Sequence, residues 1–328
     1  MRERVPPRTR RALPGIRDLV KGLRAGDKRA AGKLISLIED DEPEATEALA
    51  ALHPFTGKAH IVGFTGPPGV GKSSLISRLV REFRERGKRV GVVAVDPTSP
   101  YTGGAVLGDR IRMTESGTDP GVFIRSMATR GHAGGLALAT FEAVAVLDAM
   151  GMDLVFVETV GAGQSEVEIA SRAHTTVVVQ MPLTGDAVQV LKAGILEIGD
   201  VYVVNKVDLG DPESLIANLS FQIAARDGWT PPILKTSAPE GLGLPELADA
   251  LLRHRDFLET SGLLRTRELS RAREEILENA RRLLARQVRD LTSAGKRFEA
   301  LAGRVVDRAM DPHAAAVAIL RDATPKRR

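Results

Sequence analysis

The stretch "GPPGVGKSS", residues 66–74, restricts what this chain of 328 residues can fold into more than any other segment. Gly66, Gly71, Lys72 and Ser73 fit G-x-x-x-x-G-K-[ST], a loop whose glycines let backbone N–H groups wrap a polyphosphate. The apolar "HIVGFT" precedes it and the helical "SLISRLVREFRERG" follows. The loop is therefore predicted between a strand and a helix whose N-terminus faces the anion. Gly66, Pro67, Pro68, Gly69, Val70, Gly71, Lys72, Ser73 and Ser74 are the candidate phosphate-binding residues, with Lys72 reaching the β/γ-phosphates and Ser73 a ligand for Mg²⁺.

Short apolar runs recur after this loop: "RVGVVAVDP", "GVFIRSM", "MDLVFVETV", "TTVVVQMP", "DVYVVNKVD" and "PPILKTSA". They are rich in Val and Ile and lack polar alternation, the pattern of strands buried on both faces. The fold class read from them is α/β, a mostly parallel sheet covered by helices on both faces. Residues 16–51 space Ile16, Leu19, Val20, Leu23, Leu34, Leu37 and Ile38 at helical intervals, and "HPFTGK" then breaks the pattern. After about residue 260, Leu269, Ala272, Ile276, Ala280, Leu283, Leu284, Val288 and Leu291 form one stripe on a long charged helix. Packing on its own domain and service as a dimer arm are both open readings of that stripe. The predicted organisation is a basic tail and helical extension over 1–57, a core over 58–260, and helices with a second basic tail over 261–328.

"VVNKVD" places Asn205, Lys206 and Asp208 at the end of a predicted strand. An aspartate there accepts both hydrogens of the N1 and N2 edge of guanine, a donor pair adenine lacks. Ser237 and Ala238 of "KTSA" end another strand, where a backbone N–H can meet guanine O6. Together these favour GTP/GDP over ATP. Asp96 ends "VGVVAVD", Asp109 follows the glycine-rich "PYTGGAVLG", and "ETVGAGQSE" starts at Glu158. In the D-x-x-G phosphate sensor of GTPases that last position is an aspartate. A glutamate is one methylene longer, suited to reach the metal through a water or to act on the attacking water, with Gly161 donating its N–H to the γ-phosphate. Ser73, Asp96 and Glu158 are the candidate residues around Mg²⁺ and its waters, and Asp96, Asp109 or Gln164 would orient the attacking water.

The formal charge of +4 resides in the tails: residues 1–11 carry five Arg and one Glu, residues 321–328 four basic residues and one Asp, leaving −3 between them. With 4% aromatic residues there is little material for base stacking, so no nucleic-acid partner is expected. The absence of cysteine removes disulfides, thiolate nucleophiles and Cys-type zinc sites and is compatible with a cytoplasmic location. No apolar segment approaches the roughly 20 residues that span a bilayer, and no membrane partner is expected. His53, His60, His132, His174, His254 and His313 are scattered, with no pair at helical spacing.

In chain order, "GPPGVGKSS", "DPTSPYTGGAVLGDRIRM", "RSMATRGHAGGLA", "ETVGAGQSE", "PLTGDAVQVLKAGILEIGD", "NKVD" and "TSAPEGLGLPEL" closely resemble the MeaB/ArgK-type P-loop GTPases. These are G-protein chaperones of adenosylcobalamin-dependent acyl-CoA mutases, and the resemblance spans roughly residues 16–300. It implies a GTPase core with an N-terminal helical extension and a C-terminal arm that forms a homodimer. It also implies a function: GTP binding and hydrolysis gate adenosylcobalamin loading into the mutase and protect or reactivate it. The family's nucleotide-responsive loops match Asp96–Asp109, Glu158–Glu166 and Pro182–Lys192. In the third, Asp186, Gln189 and Lys192 share a helical face suited to coupling with the partner, and Lys192 or Arg110 could be brought into place by it. A metal-insertion GTPase and a kinase associated with amino-acid transport are the alternative readings.

Overall fold

The computed structural model describes residues 15–96, 119–128, 135–159, 172–182, 196–293 and 296–323. Contacts divide the chain into two compact units, 1–267 and 268–328.

In the first unit three helices come before any strand: α1 (Ile16–Arg24), α2 (Lys28–Glu39) and α3 (Pro43–Leu52). Then β1 (His60–Thr65) leads into α4 (Lys72–Glu85), followed by β2 (Val90–Asp96), β3 (Val122–Ala128) and α5 (Gly135–Ala149). Next come β4 (Leu154–Glu158), β5 (Thr175–Gln180), β6 (Val201–Asn205), α6 (Glu213–Gln222), β7 (Ile233–Thr236) and α7 (Leu244–Thr260). The seven strands form one sheet in the order β3-β2-β4-β1-β5-β6-β7, and every pair is parallel. Each apolar run noted in the sequence supplies one strand.

The lack of polar alternation has its cause in the layers. Along β4, Val155 and Val157 face a core that includes Ile61, Val93 and Val95, while Leu154 and Phe156 face another with Val62, Phe64, Val177 and Val203. The second face is closed by Leu75, Leu79 and Phe83 of α4 and Leu247 and Leu251 of α7. The first is closed by α5 together with Leu23, Leu34, Ile35, Ala48 and Leu52 from α1–α3. The N-terminal helices thus share one core with the sheet. Their connection to β1 is held by Asp148 of α5, whose carboxylate accepts from the N–H groups of Gly57 (2.6 Å), Lys58 (3.2 Å) and Ala59 (3.0 Å).

The long helix α8 (Leu263–Ser293) begins in the first unit and supplies most of its length to the second, with α9 (Lys296–Val306) and α10 (Pro312–Ala323). On its predicted stripe, Leu269, Ile276, Leu283 and Leu284 are between 44% and 68% exposed. None of the described helices is long and apolar enough to cross a membrane.

Candidate active site

All strands being parallel, β1, β2, β4, β6 and β7 end on the same edge of the sheet, where an open α/β fold collects its ligand-binding loops. Register brings the ends together: Phe64 pairs with Glu158, Ala94 with Glu158, and Asn205 with Thr236.

The loop after β1 is shaped by two glycines that nothing else could replace. At Gly66 (φ 141°) a Cβ would lie 2.1 Å from the Val179 carbonyl oxygen, and at Gly71 (φ 93°) 2.6 Å from Asn205 Nδ2. Backbone therefore lies where side chains would otherwise stand, and α4 starts at Lys72 with its first amides uncapped by any side chain. That is the donor set a polyphosphate needs. Lys72 is buried, and its ammonium donates to the Gly66 carbonyl (2.6 Å) and the Pro67 carbonyl (3.1 Å), so it already spans its own loop. One residue on, Ser73 Oγ donates to Glu158 Oε1 at 2.5 Å. The longer glutamate thus reaches the first turn of α4 directly from the end of β4. A hydroxyl and a carboxylate joined in this way are hard oxygen donors, the set that fits Mg²⁺.

At the other end of the cleft, Asn205 is buried and does not point outward. Its Nδ2 donates to the Val70 carbonyl (2.8 Å) and its Oδ1 accepts from Thr236 Oγ1 (2.9 Å). Lys206, in the left-handed region at φ 61°, donates to the Gly69 carbonyl at 2.7 Å. Both side chains brace the phosphate loop from the side. Asp208 is exposed, three residues beyond the end of β6. Ser237 and Ala238 are buried just after β7, and the Ser237 hydroxyl has no hydrogen-bond partner. Thr236, absent from the residues singled out in the sequence, completes the brace; its place directly before Ser237 was the available signal.

Asp96 closes β2, placing its backbone on the same edge. Asp109, Arg110, Gly161, Gln164, Asp186, Gln189 and Lys192 lie outside the described residues.

At the opposite edge of the sheet a second polar cluster appears that scattered histidines did not announce. Thr175 Oγ1 stands between His60 Nε2 (2.8 Å) and His254 Nδ1 (2.7 Å). Asp200, buried beside His254, accepts a two-pronged contact from Arg267 (2.9 and 3.0 Å) and the Thr176 N–H (2.9 Å). Burial holds His254 down to about 4, with Asp200 opposing and Arg267 and Arg226 adding to the shift. His60 is held well below the ordinary imidazole value, first by burial and then by His174 and Arg255. Among the described residues no group of His, Cys, Asp or Glu is arranged to hold a metal ion by itself.

A family described as methylmalonyl-CoA mutase-associated GTPase MeaB matches residues 31–293. A Pyrococcus abyssi protein named as a GTPase is 47% identical over 313 residues, covering 94% of this chain and 96% of its own. The mitochondrial methylmalonic aciduria type A homolog of Caenorhabditis elegans is 35% identical over 277 residues, covering 77% of this chain and 69% of its own. The crystal structure of an LAO/AO transport system kinase superposes with a TM-score of 0.67 at 25% identity, covering 94% of this chain and 97% of that one.

Proposed function

The chain belongs to the MeaB family of methylmalonyl-CoA mutase-associated GTPases, and from that premise we propose that it is a GTP-hydrolysing chaperone of an adenosylcobalamin-dependent acyl-CoA mutase. In this reading it gates loading of the cofactor and protects or reactivates the mutase. The GTPase activity follows from the family and the P-loop fold; the client is inferred from the family's description.

One observation carries the nucleotide reading: Asn205 and Lys206 hold the phosphate loop while Asp208 stays exposed, so phosphate cradle and base pocket form one braced unit. In hydrolysis the water oxygen bonds to the γ-phosphorus as the bond to the β–γ bridging oxygen breaks, giving GDP and phosphate. The loop amides and Lys72 stabilise charge on the phosphoryl oxygens, and Ser73 and Glu158, with Asp96, would hold Mg²⁺. Mg²⁺ held there would supply positive charge to the phosphate oxygens of the nucleotide. Asp96, Asp109 or Gln164 orients the water, and Asp186, Gln189 and Lys192 take the signal from the partner.

The exposed apolar residues of α8 support the proposal that a second copy of the chain covers them, with 261–328 as the dimerisation arm. A cytoplasmic location fits a soluble mutase as client.

Steady-state GTP hydrolysis, measured alone and with each adenosylcobalamin-dependent mutase of the same organism, tests the reading. Stimulation of about tenfold by one mutase, roughly 1.4 kcal/mol of barrier, is expected. Tight GTP binding with no stimulation by any of them would remove the chaperone assignment.

A further inference from the structure

The residues that end β7 run into a small closed turn. Ser237 and Leu242 exchange both backbone hydrogen bonds at 3.1 Å, enclosing Ala238, Pro239, Glu240 and Gly241. Behind the turn Gly243 (φ 72°) lies so close to β7 that a Cβ would stand 1.9 Å from the Lys235 carbonyl oxygen. Ser237 and Thr236 are fully buried, so the root of the turn is fixed. Its tip lies near the surface, and there Arg78 donates from its guanidinium to the Pro239 carbonyl at 3.2 Å. Arg78 belongs to α4, the helix that opens with Lys72 and Ser73. It stands six residues beyond Lys72, about 9 Å along the same rigid cylinder.

We propose that Arg78 is a positioning residue for guanine recognition, tying the turn that carries Ala238 to the helix that carries the phosphate ligands. The inference rests on the reading above in which a backbone N–H of this segment meets guanine O6; the Ser237 N–H is taken by the Leu242 carbonyl, which leaves that of Ala238. Pro239 makes the tether effective, because its ring fixes the backbone angle between the gripped carbonyl and Ala238. One helix then holds both the phosphate end and the O6 end of the nucleotide, while the segment before Asp208 is held at the buried root of the turn, where the Val207 N–H donates to the Thr236 carbonyl at 3.3 Å. Losing Arg78 should therefore affect only one of the two base contacts. Phosphate contacts and the chemical step should be untouched.

Competition binding of GDP, 6-thio-GDP and IDP to the full chain separates these contacts. The thio analogue alters the O6 acceptor and keeps the N1 and N2 donors; IDP keeps O6 and lacks the N2 amino group. In Arg78→Ala, GDP affinity is expected to fall about fivefold, the worth of one partly exposed hydrogen bond. Its preference over 6-thio-GDP should shrink, its preference over IDP should hold, and single-turnover hydrolysis at saturating GTP should be unchanged. Arg78→Lys, which keeps a donor at that surface, should restore the preference over 6-thio-GDP. A preference over 6-thio-GDP that persists in Arg78→Ala overturns the inference alone. An altered preference that Lys does not restore marks disturbed packing of α4 and overturns it as well. If the parent protein fails to distinguish GDP from either analogue, both this inference and the guanine reading beneath it are lost.

Discussion

Ser73 and Glu158, 85 residues apart, share a 2.5 Å hydrogen bond that joins the first turn of the phosphate-loop helix to the end of the neighbouring strand. The sequence of "ETVG" alone shows a glutamate where GTPases carry an aspartate; the contact shows what the added methylene reaches. With the carboxylate on the hydroxyl, Ser73 Oγ keeps a lone pair for a cation while its hydrogen is occupied. Glu158→Ala should thus reduce GTP turnover about 10²-fold and raise the Mg²⁺ concentration needed for half-maximal rate. Turnover titrated against Mg²⁺ checks this, and an unaltered Mg²⁺ dependence would exclude Glu158 from the metal's surroundings.

Lys72 reaches across its own loop to the carbonyls of Gly66 and Pro67. In the proposed mechanism it stabilises charge on the phosphoryl oxygens, so Lys72→Ala should lower the hydrolysis rate at saturating GTP by about two orders of magnitude, the cost of removing one preorganised donor. Full activity in single-turnover assays would remove the phosphate-loop assignment.

Asn205 supports the loop from a buried position, so its loss leaves the Val70 carbonyl and the Thr236 hydroxyl without partners. Asn205→Ala is expected to cost about 1–3 kcal/mol of stability without nucleotide, and to weaken GDP and IDP alike. Denaturant unfolding and the two binding constants report this. A change in base preference would instead place Asn205 on the base.

The depressed histidines give a pH dependence with a definite sign. His254 titrates near 4 in the folded protein and near 6.5 when exposed, so below about 6.5 the unfolded chain binds the extra proton. The contribution is fully present above that value and is lost as pH falls toward about 4, on the order of 3 kcal/mol from this group. His60 acts in the same direction. Urea unfolding between pH 7.5 and 4 should show the decline, and His254→Gln should flatten it. An identical slope in that variant would locate the proton uptake elsewhere.

Asp148 holds three consecutive amides where the N-terminal helices meet β1. Asp148→Ala should cost about 2 kcal/mol, since three charge-assisted bonds, one of them to the buried Ala59 N–H, are lost together. Hydrogen exchange at Gly57, Lys58 and Ala59 should accelerate; unchanged protection there would show that other contacts hold the junction.

What the sequence alone determined is local. Glycines at 66 and 71, apolar runs without alternation, and "NKVD" at a strand end each encode a backbone demand or a strand environment within a few residues. Those signals carried the parallel sheet, the phosphate loop and the position of Asp208. Tertiary structure alone decided which groups meet across long separations. An apolar stripe states that a helix buries a face, and only packing shows that α1–α3 bury theirs in the core shared by β1, β2, β4 and α5. "NKVD" marks Asn205, and only the approach of β6 to the phosphate loop turns its amide onto Val70. His60, Thr175, Asp200, His254 and Arg267 look unrelated along the chain, yet they converge because β1, β5 and β6 begin at one edge, where α7 brings His254 and the residues that open α8 bring Arg267. Periodicity records how each element meets its surroundings, whereas the identity of a buried polar partner depends on strand order and register, which the elements establish only by packing together.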